Sequence, residues 1–503
     1  MKQRKNRMMI IALCAINLFT AMTHAVEEYR NWDNILISEE TLNFPKDFVW
    51  GTASSDFQIA GNQTANGKFS ENNWTRDKFR PQPGIAADHW NRYEEDIENI
   101  AKAGMRHYRF SVDWSKIEPK KGEIDQDAMD HYAAIARECK KRNIEPIVCL
   151  FHHVWPTWFA DQGAFEKIEN KEDFKNFAYY VQKNMQSAGV HWWMTYNEPV
   201  GVVLESYLRG KLPPGQVGHL IKAGQVLRNM LNTHVEISQE FKKNDKDAKF
   251  GIAHIMQPLN PYHDYNPLEK SICSYFGGLN NDTIIEFFKT GKFNWGGLVK
   301  DENKAAPASI DYFGLNYYTH SLIKQNMKKT AIAFGASSLA ITGLVQKGLI
   351  KPSTGLGLGV ISAIVSSCLS LSVKSHREGT SASDEKQIYP EGLRGCIEKA
   401  SSAGKPIYIT ENGISDRSGD KREEYIKKHL YIVSEAIKDG YDIRGYHYWS
   451  FMDHFSWSTA GFKKKYGIYE VDYEGNTLTR TLRENAKWFV ALMRKHTGMN
   501  PIN

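Results

Sequence analysis

The sequence predicts one large α/β domain, a single parallel (β/α)8 barrel. Two observations predict this fold. Eight short β-forming runs recur along the chain with amphipathic helical segments between them. Most of these runs begin apolar and end in polar or aromatic residues. A length of 503 residues is compatible with one such domain, and no Pro-rich or Gly/Ser-rich linker divides the chain.

The eight predicted strands are, in chain order, FVWGTAS from Phe48, HYRFSV from His107, PIVCLFH from Pro146, WWMTYNE from Trp192, FGIAHI from Phe250, DYFGLNYY from Asp311, PIYITENG from Pro406 and IRGYHYWS from Ile443. Spacers such as RYEEDIENIAKAG and EEYIKKHLYIVSEAIKDG repeat their apolar residues with a helical period. Eight strands that alternate with helices favour a parallel barrel.

The polar residues at the strand ends predict where the functional site lies. They are Arg109, His152, Asn197 with Glu198, Asn316 with Tyr318, Glu411 and Trp449. In (β/α)8 barrels the carboxyl ends of the strands surround the active site. We therefore expect these side chains to converge on one pocket.

The N-terminus has the layout of a secretory signal peptide over residues 1–25. A basic segment, MKQRKNR, precedes the apolar segment MMIIALCAINLFTAM, and THA ends at Ala25 as a plausible cleavage site. An uncleaved N-terminal anchor is the alternative. In either case residues 26–503 would form the barrel domain. A signal peptide predicts an exported protein, either periplasmic, secreted or lumenal.

The net charge and the spacing of the cysteines and histidines indicate which partners and cofactors are not expected. The net charge is +6 (64 − 58) without a polybasic tail, so nucleic acid is not an expected partner. Apart from Cys14 in the signal segment, the cysteines are irregularly spaced, which predicts free thiols with at most one or two bridges. The adjacent His152 and His153 lack a further ligand at metal spacing, so no metal or cofactor is expected.

An apolar and basic insertion is predicted at residues 321–383, in the loop after strand 6. Between Ser321 and Arg377 there are seven basic residues and no acidic one, together with runs such as GLGLGVISAIVSSCLSLSV. One interpretation is a helical hairpin on the barrel or a poorly ordered insertion. The other is a flap, residues 330–373, that dips into a membrane surface while its lysines meet anionic lipid. A transmembrane span is disfavoured because the runs are rich in Ser and Gly.

Two glutamates carry the strongest functional signal. Glu198 lies in TYNEP and Glu411 in ITENG, at the ends of the fourth and seventh predicted strands and 213 residues apart (411 − 198). A pair of facing carboxylates is what cleavage of a glycosidic bond requires. One is protonated to assist the leaving oxygen, and the other is ionised to meet the oxocarbenium-like carbon.

Seven motifs together resemble glycoside hydrolase family 1. In chain order they are FVWGTASSDFQIAG, YRFSVDWSKIEP, TYNEP, DYFGLNYYT, IYPEGL, ITENG and YHYWSFMDHFSW. This is the order in which the family has them, and the resemblance runs from about Phe44 to about Trp488. The resemblance implies a retaining β-glycosidase, most simply a β-glucosidase, that acts on a β-glycoside substrate without a cofactor.

The resemblance also assigns roles to individual residues. Glu198 would be the general acid/base and Glu411 the nucleophile. Asn197, Gln58 and His152 would bind sugar hydroxyls, with Asn197 on the 2-hydroxyl. Arg109 and Tyr318 would hydrogen-bond the nucleophile, Asn316 would lie beside them, and Trp449 and Trp457 would form apolar platforms for the sugar.

The chain departs from the family pattern at two places. Ala60 replaces a Glu in the usual QxEG, and Ser456 stands where a Glu normally holds the 4- and 6-hydroxyls. Ser456, Lys464 and Tyr466 resemble instead the residues that hold a sugar 6-phosphate in 6-phospho-β-glycosidases. The Ser-to-Lys spacing is one residue longer than expected, and export argues against a phosphorylated substrate.

Other functions compete with hydrolysis of a simple β-glucoside. A non-catalytic sugar-binding relative is disfavoured because both glutamates and their neighbours are present. A transglycosylase would use the same carboxylates with a sugar or lipid hydroxyl in place of water. The flap at residues 330–373 would suit a glycolipid substrate at a membrane surface.

Overall fold

The barrel predicted from the sequence is the core of the molecule. The computed structural model describes residues 30–64, 69–326, 371–377, 380–383 and 386–500. In these ranges eight parallel strands close into a barrel, each paired with its sequence neighbours and the last with the first. They are β1 (Val49–Ala53), β2 (His107–Ser111), β3 (Glu145–Cys149), β4 (Trp192–Asn197), β5 (Lys249–Ile255), β6 (Phe313–Tyr317), β7 (Ile407–Asn412) and β8 (Ile443–Tyr448). Each of the eight predicted runs contributes one strand, which confirms the fold class.

The longer helices follow the successive strands and lie around the outside of the barrel. They are α1 (His89–Lys102), α2 (Gln126–Lys141), α3 (Lys171–Gln186), α4 (Leu220–Asn244), α5 (Pro267–Gly277), α6 (Thr283–Thr290), α7 (Pro390–Ser401), α8 (Arg422–Lys438) and α9 (Lys487–His496). Shorter helices are Asp56–Ile59, Trp114–Ile117, Thr157–Asp161, Pro199–Val203 and Ala306–Ser309, and a π-helical stretch, Gly278–Asp282, joins α5 to α6.

Helix α2 shows why these segments fold as they do. Its N-cap residue Asp125 accepts a hydrogen bond from the backbone N–H of Ala128, at 2.9 Å, which satisfies one of the otherwise unpaired donors of the first turn. Met129, Tyr132 and Ala136 recur at helical spacing and are buried. The helix therefore presents one apolar stripe to the barrel.

Two hydrophobic clusters lie on opposite sides of the strands. Val148 belongs to the large outer cluster between strands and helices, whereas its neighbours Ile147 and Cys149 belong to a small inner cluster with Met194, Ala253, Tyr312 and Tyr408. This alternation is the two-residue period of a strand, so the small cluster fills the barrel interior. Gly251 on β5 is required there, because a Cβ would lie 2.3 Å from the Tyr312 ring.

Shorter strands outside the barrel form one three-stranded sheet and three two-stranded sheets among the described residues. Ser321–Gln325 pairs with Leu259–Pro261 on one side and with Leu371–Lys374 on the other. The remaining pairs are Lys292–Trp295 with Val299–Glu302, Ala382–Ser383 with Lys386–Gln387, and Tyr469–Val471 with Arg480–Leu482. The predicted signal segment, residues 1–25, and most of the predicted insertion, residues 327–370, lie outside the described residues.

Cys139, Cys149, Cys273 and Cys396 are buried free thiols, as expected for these four. Among the helices of the described residues, none combines the length and the hydropathy of a bilayer-spanning segment.

Candidate active site

Glu198 stands at the point where β4 turns into a short helix. Its backbone is left-handed, with φ 51° and ψ 50°, and Pro199 occupies the first position of the helix Pro199–Val203. Its backbone N–H still donates to the carbonyl of Ala253 on β5, at 2.7 Å. The turn brings the carboxylate within 2.8 Å of Asn316 Nδ2, which lies on β6. The carboxylate of Glu198 is therefore held at the carboxyl end of the barrel.

Glu411 lies on β7 and is bound through both carboxylate oxygens. The buried guanidinium of Arg109, on β2, donates to Oε1, and the hydroxyl of Tyr318 donates to Oε2. Burial raises the pKa of Tyr318 well above its usual value, and the charges of Glu411 and Glu198 raise it further. The phenol consequently remains a donor. These two bonds compensate the negative charge of Glu411 and fix its orientation.

A hydrogen-bonded network joins the two glutamates across the pocket floor. Asn197 Oδ1 accepts from Arg109 Nη1 at 2.6 Å and from Asn316 Nδ2 at 3.2 Å. The hydroxyl of Thr410 donates to Asn316 Oδ1 at 2.7 Å, which orients the Asn316 amide. Asn197 Nδ2 lies 3.2 Å from His152 Nε2. Because the amide nitrogen can only donate, His152 Nε2 accepts and the proton of the neutral ring is on Nδ1.

The two glutamates have opposite electrostatic environments. Burial raises the pKa of Glu198 to about 8, and the negative charge of Glu411 raises it as well. The hydrogen bond from Asn316 and the charges of Arg109 and Lys386 act in the opposite direction. Glu198 is therefore protonated at neutral pH, while Glu411 is paired with a guanidinium. One acid and one anion in a single pocket are the groups needed to cleave an acetal.

Several buried polar atoms at this end of the barrel have no protein partner within the described residues. They are Gln58 Oε1, His152 Nδ1, both ring nitrogens of His153, His454 Nε2 and Trp457 Nε1. Buried polar atoms in proteins are normally hydrogen-bonded. A group of donors and acceptors of this kind suits a ligand that carries several hydroxyls, as a sugar does. No group of three or more His, Cys, Asp or Glu in the described ranges is placed to hold a metal ion.

The comparisons with known proteins agree with this geometry. The family model for glycosyl hydrolase family 1 matches residues 40–498. The chain belongs to this family. It is therefore a glycosidase on a (β/α)8 barrel, of the family whose members cleave β-glycosides with retention of configuration.

Three relatives illustrate the range of the family. The chain is 30% identical to a 6-phospho-beta-galactosidase of Streptococcus mutans in an alignment 482 residues long that covers 89% of this chain and 97% of the relative. The structure of this chain resembles that of a beta-glycosidase from Pyrococcus horikoshii, with a TM-score of 0.73 and 28% sequence identity. The match covers 92% of this chain and 96% of the Pyrococcus chain. A beta-glucosidase from Exiguobacterium marinum gives a TM-score of 0.75, 25% identity and coverage of 90% and 99%.

The two tryptophans predicted as sugar platforms contact the histidines that follow β3. Trp449 lies parallel to the His152 ring, with centroids 5.8 Å apart, and the Arg109 guanidinium lies 5.8 Å from the Trp449 centroid. Trp457 stacks on Phe57 with a centroid separation of 5.0 Å and an interplanar angle of 6°. These contacts hold both rings in place, as a preformed sugar site requires.

The structure brings all ten predicted site residues together. Seven of them are joined by hydrogen bonds: Arg109, His152, Asn197, Glu198, Asn316, Tyr318 and Glu411. Trp449 contacts this group through His152, Trp457 contacts His153, and the Gln58 amide donates to the carbonyl of Phe455 at 2.6 Å, beside His454. Their individual roles remain predictions.

Sequence reasoning missed three contributors to the pocket. The sequence gives His153 no role, because the FHHVW pair lacks a further metal ligand, yet its ring lies 5.5 Å from that of Trp457 and its backbone φ of 73° turns the chain after β3. His454 lies 5.2 Å from Trp449 between ring centroids. Lys386 comes from the loop after β6. The adjacent histidines in FHHVW were a visible signal, whereas no local pattern marked Lys386.

The two departures from the family pattern have different surroundings. Ala60 is fully buried in the outer hydrophobic cluster. Ser456 is also buried, and its Oγ lies 3.1 Å from Ser458 Oγ while its backbone N–H donates to the carbonyl of Gly461 at 2.8 Å. A small hydroxyl thus occupies the place where the family usually has a carboxylate.

Proposed function

We propose that this glycosidase hydrolyses terminal β-linked glycosides, most simply β-glucosides, by double displacement through a covalent glycosyl-enzyme. The observation that carries the proposal is the contrast between the two glutamates. Glu411 is an ion-paired carboxylate held at both oxygens, and Glu198 is a buried acid whose pKa is raised to about 8. The family resemblance assigns the same two roles independently.

In the first step Glu411 attacks the anomeric carbon. The bond from this carbon to the leaving oxygen breaks, and Glu198 gives its proton to that oxygen. The glycosyl ester that forms consumes the negative charge of Glu411, which is one of the two causes of the raised pKa of Glu198. The pKa of Glu198 then falls, so its carboxylate can take a proton from water, which attacks the ester and frees Glu411.

A second candidate substrate is a glycoside with a 6-phosphate on its glycone. Specific observations favour it. Tyr466 Oη lies 3.1 Å from Lys386 Nζ, and its ring stacks on His454 with centroids 5.6 Å apart. The buried Ser456 and the half-buried Lys464 belong to the same loop. The relative from Streptococcus mutans, matched over 97% of its length, is named a 6-phospho-beta-galactosidase.

A panel of 4-nitrophenyl β-glycosides tests the function and separates the two candidates. It contains the glucoside, the galactoside, the fucoside and the 6-phosphates of the first two. We expect turnover with the β-anomer as the first-formed sugar, observed by NMR. A kcat/KM at least about tenfold higher for a 6-phosphate would select the second candidate, because an ionic hydrogen bond is worth that much. The absence of turnover on all five, or an α-anomer at early times, would contradict the proposed function.

We also propose that residues 330–373 contact a membrane surface, which would bring a glycolipid substrate to the pocket. The supporting observation is the position of the segment's ends. Ser321–Gln325 follows β6 at the carboxyl end of the barrel and pairs antiparallel with Leu371–Lys374. The chain thus leaves and rejoins the barrel on the face that carries Glu198 and Glu411. Val373, at this edge, is 60% exposed.

Replacement of residues 328–369 by a short Gly/Ser linker tests the membrane proposal. Leu371–Lys374 is retained because it pairs with the strand after β6. We expect the variant to lose binding to vesicles that contain anionic lipid, and to lose turnover of a glycosyl-ceramide, because the apolar and basic residues are removed. Turnover of an aryl glucoside should persist. Equal vesicle binding by the parent and the shortened enzyme would contradict the proposal.

A further inference from the structure

Lys386 reaches the active-site pocket from the loop after β6. It begins the two-residue strand Lys386–Gln387, which pairs with Ala382–Ser383 just before α7. Its side chain is half-buried, and its Nζ lies 3.1 Å from Tyr466 Oη. The same Nζ lies 5.0 Å from the centroid of the Tyr318 ring and 5.7 Å from that of Tyr466.

The ammonium of Lys386 has no carboxylate within salt-bridge distance in the part of the chain that the structure describes. One phenol hydroxyl and two ring faces compensate its charge only in part. The buried Lys116 shows the contrast, since its Nζ lies 2.5 Å from a carboxylate oxygen of Asp56. A half-buried cation beside a pocket, with no carboxylate partner among the described residues, is a group that an anionic ligand can pair with.

The position of Lys386 relates it to the substrate. Tyr318 hydrogen-bonds Glu411, the residue that would attack the anomeric carbon. Tyr466 stacks on His454, which in turn contacts the Trp449 wall. The charge of Lys386 also acts on Glu198. The ammonium therefore lies between the groups around the reacting carbon and the groups that line the rest of the sugar pocket.

We propose that Lys386 is a specificity-determining residue that pairs with an anionic oxygen group on the substrate. The group is either a phosphate on the glycone or an acidic group on the leaving group. This inference rests on the proposed β-glycosidase function and adds the charge of the substrate to it. Tyr466 holds the ammonium toward the pocket, and Lys386 is the cation that makes an ionic hydrogen bond with the substrate.

The test compares Lys386→Met with the matched control Lys463→Met. Both variants remove one lysine charge, but Lys463 is exposed and lies outside the pocket contacts described above. The substrates are an aryl β-glucoside, its 6-phosphate, a β-glucoside whose aryl group carries a carboxylate, and the methyl ester of the latter. Each substrate is compared between enzymes, so differences in leaving-group ability cancel.

We expect Lys386→Met to lower kcat/KM for one of the two anionic substrates roughly 10- to 100-fold more than for the neutral ones, because an ionic hydrogen bond is lost. The substrate that responds identifies where the anion sits. Lys463→Met should show no such selectivity, and Lys386→Arg should restore most of it. An equal loss on all four substrates, or an equal selective loss in both Met variants, would overturn the inference.

The pH dependence of kcat/KM tests whether the charge of Lys386 acts in the pocket, because a purely structural role would leave this pH dependence unchanged. Glu198 faces the charges of Glu411, Arg109 and Lys386. Removing the cation of Lys386 favours the neutral acid, so the alkaline limb of kcat/KM should move to higher pH in Lys386→Met and stay in place in Lys463→Met. A limb that does not move, or moves to lower pH, would count against the inference. Failure of the parent enzyme on every substrate would instead refute the β-glycosidase function itself.

Discussion

Glu411→Gly is expected to lower kcat on aryl β-glucosides by roughly 10⁴-fold or more, because the variant lacks the group that forms the covalent intermediate. The fold should survive, since Glu411 contributes to the pocket network rather than to either hydrophobic cluster. Sodium azide should restore turnover, because the small anion fits where the carboxylate stood. The product should be the α-glycosyl azide, with inverted configuration.

The matched control is azide with Glu198→Ala. In that variant Glu411 still forms the glycosyl ester, and azide attacks it from the opposite face, so the product should be the β-glycosyl azide. Product configuration is read from the anomeric coupling in the NMR spectrum. A β-azide from Glu411→Gly, or an α-azide from Glu198→Ala, would mean that the two roles are reversed. The lack of rescue in both variants would mean that neither assignment is right.

Glu198→Ala is expected to separate substrates by the quality of their leaving groups. General acid catalysis contributes roughly 10² to 10⁴-fold, so kcat/KM should fall by this factor for an alkyl or poorly activated aryl glucoside. A dinitrophenyl glucoside, whose leaving group departs without a proton, should lose much less. In that case the slow step becomes hydrolysis of the ester, for which Glu198 would act as base.

The same variant tests the raised pKa of Glu198. In the parent enzyme the acid form is needed, so kcat/KM should be full below the pKa and fall as the pH rises through about 8. Burial and the charge of Glu411 keep the proton on Glu198 up to that pH. The alkaline limb should disappear in Glu198→Ala and persist in Lys463→Met. An unchanged limb in Glu198→Ala would show that another group is titrating.

The positions of the strands and of the two glutamates were predictable because their signals are local. A β-forming run such as WWMTYNE predicts both a strand and its polar end within seven residues. The helical period of the amphipathic spacers predicts the helices from equally local patterns. In a parallel barrel all carboxyl ends lie on one face, so the prediction of strands was also a prediction of which side chains meet. The family motifs then indicated the chemistry of Glu198 and Glu411.

No local pattern marks Lys386, so its contacts could not be predicted. His153 and His454 lie in motifs that the sequence displays, FHHVW and YHYWSFMDHFSW, but those motifs do not encode which rings the two histidines contact. Lys386 lies 80 residues from Tyr466 in the chain, and their contact depends on how two loops meet above the barrel. His153 owes its place to a left-handed backbone turn after β3. Loops of this kind carry no periodic pattern that would reveal their path.

The fold class and the family follow from residue types at short spacings in the sequence, and the same motifs predict Glu198 and Glu411 as the catalytic pair. The tertiary structure alone decided the electrostatics of that pair. Arg109 and Glu411 are separated by 302 residues in the chain, yet they form a buried ion pair beside Glu198. The raised pKa of Glu198 arises from burial and from the field of Glu411, and both exist only once the strands have closed into a barrel.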